Sequence, residues 1–375
     1  MIVTDVKTFL VDASRKWRGR NWLFVKVYTD EGIEGLGEAS GWPSVVEKAI
    51  RDLKHVVIGE NPFNIERIWQ RMLLAFMGHG LTGVVGAGAM TGIEIALWDI
   101  VGKALKTPLY NLLGGKCREK VKVYGHAHSV KEALNLVDRG YKALKMGLRS
   151  ADKVGDIREA VGEEVDLCID LHGPPWLTLS DAINLGKRLE KYNLLFIEDP
   201  VPPENLDGLA KVKSELETPI AAGERWATIY GFRDLIEREV VDIIQPDMGR
   251  VGGITQLKKI CGMAEAHFIS VAPHDGSNGP VAEAAALHVC TSIPNFLILE
   301  HLADDLPLRQ EVVTPIEVKD GYMKAPSKPG LGVELDEEVA VKNRPREPNI
   351  SMPPSEAENL YWRMRFRRAK WLNSI

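Results

Sequence analysis

Through the second half of this 375-residue chain, Asp170, Glu198, Glu224, Asp247, His274 and Glu300 recur at regular intervals, each at the end of a short apolar run. The runs read DLCIDLH, LFIEDP, PIAAGE, DIIQPD, SVAPHD and LILEH, and an earlier one, ALKMG, carries Lys145. Ionised groups gathered in one place repel unless a cation or a reaction uses them. Asp170, Glu198 and Glu224, on successive runs, ask for a hard divalent ion. An all-oxygen donor set favours Mg²⁺ over Zn²⁺ and leaves open positions for substrate oxygens. Any one of these acids, taken alone, reads as a solvated loop residue or a helix N-cap; three at equivalent positions read as a set. Asp247 and His274 form a second group, in which a carboxylate holds one ring nitrogen and leaves the other for a substrate proton, the arrangement of a general base. His172 lies two residues beyond Asp170 and so points to the same side. It could bind the metal, but three acids already suffice, which leaves it free as a proton donor. Lys145 is either a surface lysine or a cation placed beside a bound carboxylate.

Convergence of these groups requires parallel strands whose C-terminal ends share one mouth. Apolar runs start at Val121, Ala143, Asp166, Leu195, Pro219, Val241, Phe268 and Phe296, at spacings of 22, 23, 29, 24, 22, 27 and 28 residues. Helix-like text lies between them, such as LSDAINLGKRLEKY, with Ser180 as a candidate N-cap, and GGITQLKKICGMAEAH. Strand, helix and parallel strand at one period predict βαβ units. Eight of them can close a barrel, although about 180 residues is compact against the roughly 250 of a typical one. An open doubly wound sheet is the rival, and the residues at the strand ends decide against it. Before the barrel, IVTDVKTFLV and LFVKVYTDEGIEGLGEAS read as a small antiparallel sheet, followed by helical text over Val45 to Val57, Ile65 to Met77 and Gly86 to Leu105. The expected division is an α+β capping domain over 1–117, a barrel over 118–301, and a C-terminal segment over 302–375 that completes the cap.

A formal net charge of −5 with 45% hydrophobic residues is an ordinary globular balance that demands neither a nucleic-acid nor a membrane partner. Cys117, Cys168, Cys261 and Cys290 are widely separated and make no CxxC pair, so a reducing cytoplasm is expected, without disulfides or a thiolate zinc site. No apolar run of about 18 residues and no cleavage pattern at the N-terminus are found, which predicts neither a membrane span nor export. Near the C-terminus Arg363, Arg365, Arg367, Arg368 and Lys370 interleave with Trp362, Met364, Phe366 and Trp371. We read this as a docked helix with a solvated basic side.

At these residues the sequence resembles the enolase superfamily, in its mandelate racemase branch, and most closely the galactonate and gluconate dehydratases. The likeness runs from TDEGIEGLGE through GIEIALWDIVGK and PLYNLLGG to KPGLGVELDEE, with IDLHG, FIEDP, AAGER, QPD, GGIT and APHDGSNGP in the family's order. It implies a modified (β/α)7β barrel of seven helices, Asp170, Glu198 and Glu224 as magnesium ligands, Asp247 and His274 as the base dyad, and Glu300 as the acid of strand eight. The racemases carry a second lysine in a KxK pattern. Here Lys145 is followed by Met146 and Gly147, so one base serves one face, and only acids of R configuration at C2 are expected to react. The activity implied is that of a Mg²⁺-dependent acid-sugar dehydratase. His274 removes the C2 proton, Lys145 stabilises the enediolate, His172 protonates the departing 3-hydroxyl, and a neutral Glu300 hydrogen-bonds the intermediate, giving a 2-keto-3-deoxy acid. Arg20, Trp22 and His79 in the cap, and Trp176 in the loop GPPWLT, are candidate substrate contacts. That loop departs from the galactonate enzymes and leaves the sugar acid open. The partners expected are a small sugar acid and further copies of the chain. The alternatives are a racemase or epimerase of the same branch and a barrel that binds or regulates without catalysis.

Overall fold

A computed structural model describes residues 1–13, 20–76, 83–147, 150–173, 176–303 and 307–345. Strands β1 (Val3–Asp12), β2 (Asn21–Thr29) and β3 (Glu34–Ala39) form an antiparallel sheet in that order. Helices α1 (Pro43–Val57), α2 (Ile65–Phe76) and α3 (Val84–Ala104) pack with it around a core of their own. The glycines of EGLGEA have a steric reason. A Cβ at Gly35 would stand 2.0 Å from the Ala96 carbonyl oxygen, and one at Gly37 2.0 Å from that of Gly92. Only bare backbone lets α3 lie so close on β3. By length and apolarity α3 could cross a membrane, but it is mostly buried in this interface.

After the short α4 (Leu109–Leu112) come eight parallel strands: β4 (Val121–His126), β5 (Ala143–Met146), β6 (Asp166–Asp170), β7 (Phe196–Glu198), β8 (Ile220–Ala222), β9 (Ile243–Ile244), β10 (Ser270–Val271) and β11 (Leu299–Glu300). The first three begin where the apolar runs do, and the others begin one to three residues later. β11 pairs with β4, and the ring closes where Val271 N–H donates to Asn295 O at 2.9 Å and Leu297 N–H to Val271 O at 2.8 Å. Tyr124, Ala143, Cys168, Phe196, Ala221, Ile243, Ala272 and Ile298, one from each strand or its flank, form a separate buried cluster. Alternation of large and small side chains fills the barrel rather than leaving a pore. Between the strands lie α5 (Val130–Asp138), α6 (Ala151–Val161), α7 (Leu179–Leu189), α8 (Leu206–Glu215), α9 (Thr228–Glu237), α10 (Ile254–Ala266) and α11 (Pro280–Ser292), seven helices for eight strands among the described residues. The N-cap of α7 is Thr178 and not Ser180. Thr178 Oγ1 accepts from Asp181 N and donates to Asp181 Oδ2, a reciprocal cap that Ser180, already inside the first turn, cannot make.

Two cap carboxylates reach across to barrel helices. Glu94 of α3 accepts from the backbone N–H of Ile254 (2.7 Å) and Thr255 (2.9 Å) at the start of α10. Glu38 of β3 accepts from Gly279, Val281 and Ala282 at the start of α11. Both satisfy helix N-termini that would otherwise be buried with unpaired donors. The remaining elements are α12 (Pro307–Val312), β12 (Tyr322–Met323) and α13 (Glu337–Lys342). β12 adds antiparallel to the start of β4, while Asp12 N–H donates to Asn343 O just beyond α13. The segment thus touches barrel and cap alike. The basic stretch Arg363–Lys370 lies outside the described residues.

His288 of α11 is fully buried and tautomer-specific. Its Nδ1 accepts from Tyr110 N–H (3.2 Å) and its Nε2 donates to Leu331 O (3.1 Å), which joins α4 and the C-terminal segment to the barrel. Both bonds need the neutral ring, and burial pushes its pKa down to about 4. The unfolded chain takes up this proton near pH 6.5, so stability is lost as pH falls from about 6.5 to about 4. Denaturant unfolding at pH 7 and pH 4 should show the wild type losing up to about 3 kcal/mol more than His288→Gln, at roughly 1.4 kcal/mol per pKa unit. Equal losses would remove His288 from the account.

Candidate active site

All the strand-end groups expected from the sequence stand at the C-terminal mouth of the barrel. Parallel register sets the first two acids side by side, since Asp170 and Glu198 are paired residues of β6 and β7. Glu224 follows β8 through Gly223, where a Cβ would strike Gln245 N at 2.5 Å, so the close turn that delivers Glu224 needs glycine. Lys145, on β5, is buried at the centre. Its Nζ lies 2.6 Å from Glu300, 2.9 Å from Glu198 and 3.5 Å from Asp170. Burial works against its charge, but Glu198 and Glu300 outweigh that and raise its pKa well above the usual lysine value.

The three candidate metal ligands differ in state. Burial and the neighbouring Asp170 charge push Glu198 up to about 7, and its Oε1 is buried without a hydrogen-bond partner. Asp170 is held down at about 2, where Lys145 and His172 overcome burial. Glu224 is held well below the carboxylate range because His274 and Arg225 overcome the same penalty. Its carboxylate is turned to His274 Nε2 (2.6 Å) and to Arg225 Nη2 (2.6 Å). As arranged, no three His, Cys, Asp or Glu side chains among the described residues converge on a point that could hold a metal ion. The orphaned Glu198 oxygen and the all-oxygen donor set nevertheless fit a hard cation, and Glu224 is the group that would have to turn.

On the other side, His274 Nδ1 meets Asp247 Oδ2 at 2.6 Å. Asp247 is fixed in turn by Arg250 Nη2 (2.9 Å), Gly249 N–H (2.8 Å) and Asn278 Nδ2 (3.1 Å). Against burial, the charges of Glu300 and Glu224 hold the His274 pKa well above the imidazole range. His172 is partly exposed at the rim, with Nδ1 2.7 Å from Asp170 Oδ1, and that carboxylate raises its pKa against burial.

Glu300 departs from the expected neutral form. It is fully buried, yet Lys145, His274 and His126 overcome burial and hold it well below the carboxylate range, and its Oε2 accepts from Asp275 N–H (2.7 Å) and Gly276 N–H (2.9 Å). It stands here as a carboxylate among cations and N–H donors.

The peripheral candidates separate. Trp176 lies at the site, its ring 5.2 Å from the Arg225 guanidinium. Arg20 donates to Asn278 O at 3.4 Å, beside the dyad's support. Trp22 differs from the expected substrate contact: at 1% exposure it is packed between cap and barrel, where a Cβ at Gly279 would stand 2.8 Å from its ring. His79 lies outside the described residues. Four partners were not anticipated from the sequence: His126 at the end of β4, Arg225 directly after Glu224, Arg250 three residues beyond Asp247, and Asn278. The signal for Arg225 and Arg250 was their adjacency to the acids, and that for His126 was the first strand's own C-terminal residue.

A closed parallel barrel with carboxylates, one lysine and a carboxylate-held histidine at its mouth, under an α+β cap, defines an enolase-type protein. The chain belongs to the mandelate racemase/muconate lactonizing enzyme family: residues 5–114 match the family's N-terminal domain and residues 128–339 the enolase C-terminal domain-like model. It is 36% identical to a D-xylonate dehydratase of Haloferax volcanii, over 89% of this chain and 87% of that protein. It is also 36% identical to a D-galactonate dehydratase of Ralstonia pickettii, over 88% and 93%. Among solved structures, a mandelate racemase/muconate lactonizing enzyme-like protein from Roseovarius sp. TM1035 superposes with a TM-score of 0.87 at 33% identity, covering 94% of this chain and 98% of that one. A member of the enolase superfamily from Salmonella Typhimurium gives 0.85 at 34%, covering 92% and 98%.

Lys145 is the cation that three buried acids share. Lys145→Met should therefore lower the unfolding free energy in urea by about 3 to 5 kcal/mol, the cost of leaving buried charge unpaired. Adding Glu198→Gln to that variant should restore more than half of the loss. A single-variant loss under about 1 kcal/mol would show that the acids do not depend on it.

Proposed function

We propose that the protein is a Mg²⁺-dependent dehydratase of aldonates with R configuration at C2, converting them to 2-keto-3-deoxy acids. The observation that carries this reading is His274, held by Asp247 at 2.6 Å and set across Glu300 from Lys145 in a mouth lined by three further acids. Two curated relatives are named for D-xylonate and D-galactonate, both aldonates of R configuration at C2. Asp170, Glu198 and Glu224 would hold the ion. When bound it supplies positive charge at the substrate carboxylate, which makes the adjacent C–H more acidic.

The chain's own residues do the rest. Lys145 Nζ places a second positive charge where the enediolate develops, preorganised by Glu300 and Glu198. His274 Nε2, which Glu224 covers in this arrangement, becomes available to the C2 proton when Glu224 turns towards Asp170 and Glu198. Asp247 and Arg250 keep the ring in one orientation. His172, favoured in its charged form by Asp170, donates to the departing 3-hydroxyl from the rim. General acid or base help of this kind is worth about 10² to 10⁴ in rate per group.

Chelating divalent ions should abolish formation of keto acid from D-galactonate or D-xylonate, and Mg²⁺ should restore it; full turnover by the metal-free protein would overturn the assignment. The two histidines should separate in D₂O. His274→Asn should lose both C2 proton exchange and dehydration, by about 10²-fold or more, whereas His172→Asn should keep exchange and lose product. If His172→Asn loses exchange as completely as His274→Asn, the division of roles is wrong.

A further inference from the structure

Besides His274 and His172, the mouth holds a third imidazole, which this dehydration does not use. His126 ends β4, and its Cα pairs in register with that of Lys145 on β5, so the two side chains leave the sheet at one level. Its Nε2 lies 2.7 Å from Glu300 Oε1, the oxygen that Lys145 Nζ approaches at 2.6 Å. Glu300 Oε1, buried at the mouth, thus holds the His126 ring and the Lys145 ammonium side by side. The ring is kept in place by stacking on buried Tyr124, with centroids 6.2 Å apart. At the other oxygen of the same carboxylate, Glu300 Oε2 stands 3.5 Å from His274 Nε2. Glu300 therefore has an imidazole at each end, one on β4 beside Lys145 and one following β10. On the Lys145 side, a Cβ at Gly147 would meet His128 Cε1 at 3.5 Å and Nδ1 at 3.7 Å.

We propose that His126 is a catalytic acid–base residue at substrate C2 on the Lys145 side, giving the site a 2-epimerisation activity towards the aldonates it dehydrates. The inference rests on the aldonate reading above. Burial lowers the His126 pKa in spite of Glu300, so the ring is neutral near pH 7; with Nε2–H directed at Glu300 Oε1, its lone pair is on Nδ1. With the S epimer bound, the C2–H bond breaks, the proton passes to His126, and the electron pair enters the carboxylate as the enediolate. Protonated His274 then delivers a proton to the opposite face of C2. His126 has gained one proton and His274 has given one, exchange with solvent resets both, and no oxidant or further reactant is needed. The R epimer formed in this way enters dehydration, so both epimers drain into one keto acid.

The test incubates D-galactonate (R at C2) and D-talonate (its S epimer) separately with the full chain and Mg²⁺ in D₂O, following the C2 proton and the keto acid by NMR. Expected for the wild type are exchange of both epimers and keto acid from both. His126→Gln should lose exchange of the S epimer at least about tenfold while exchange of the R epimer stays within about threefold, and His274→Asn should show the reverse preference. Retained exchange of the R epimer also shows that the His126→Gln protein is folded around a working site. A wild type that dehydrates D-galactonate but leaves D-talonate unexchanged overturns this inference alone. So does S-epimer exchange that survives His126→Gln, or a His126→Gln protein that loses both epimers equally, which His126→Asn should then repeat. Failure of the wild type to exchange or dehydrate either acid overturns the aldonate reading as well.

Discussion

Buried negative charge at the barrel mouth is the constraint to which the rest of the molecule answers. Asp170, Glu198, Glu224, Asp247 and Glu300 are all withdrawn from solvent within one ring of strand ends. Taking even one carboxylate out of water costs several kcal/mol unless it is paired. Lys145 serves three of them, Arg225 and His274 serve Glu224, and Arg250 and His274 serve Asp247. Glu198 is the acid left worst off, with one oxygen unpartnered. A site in this condition is poised to take up positive charge, and a divalent ion is the simplest supply.

The cap is built into this arrangement rather than laid over it. Glu38 grips the first turn of α11, the helix that follows the loop carrying His274, Asp275 and Asn278. Asn278 bonds Asp247 and Asp275 at 3.1 Å each, and Asp275 N–H donates to Glu300. From the C-terminal segment, Arg309 reaches Glu283 of α11 at 2.9 Å, and the same carboxylate takes His301 at 2.5 Å, next to Glu300. Strand, loop and segment therefore fix the His274 loop and Glu300 together. The cap is thus joined to the loop that carries His274 by backbone and side-chain bonds.

What the sequence made legible was whatever depends on local pattern. Strands buried on both faces read as continuous apolar runs, so the starts of β4, β5 and β6 could be placed to the residue, and the charged groups near the ends of β5 and β6, Lys145 and Asp170, followed. Apart from the Asp247–His274 pair, which was read from the sequence, side-chain pairings between strands were not legible, because they depend on which side chains turn towards each other. Glu224 belongs to a ligand set by position, yet it bonds His274 here. Glu300 could be neutral by burial alone and is an anion because of Lys145, His274, His126 and two N–H groups. Trp22 was read as a candidate substrate contact in the cap, and the cap–barrel interface buries it. His126 was in plain sight in VYGH but closes a strand that carries no acid, and its meaning comes only from Glu300, which lies 174 residues further along.

If Asp170, Glu198 and Glu224 hold one cation, as proposed above, Glu224 must turn away from His274 to join the other two. A crystal structure of the protein grown with Mn²⁺, with anomalous data collected at the manganese edge, tests it directly. The account predicts one peak bonded to oxygens of all three carboxylates, with Glu224 turned away from His274 Nε2. An ion bound elsewhere, or no ion while Glu224 stays on His274, would contradict it.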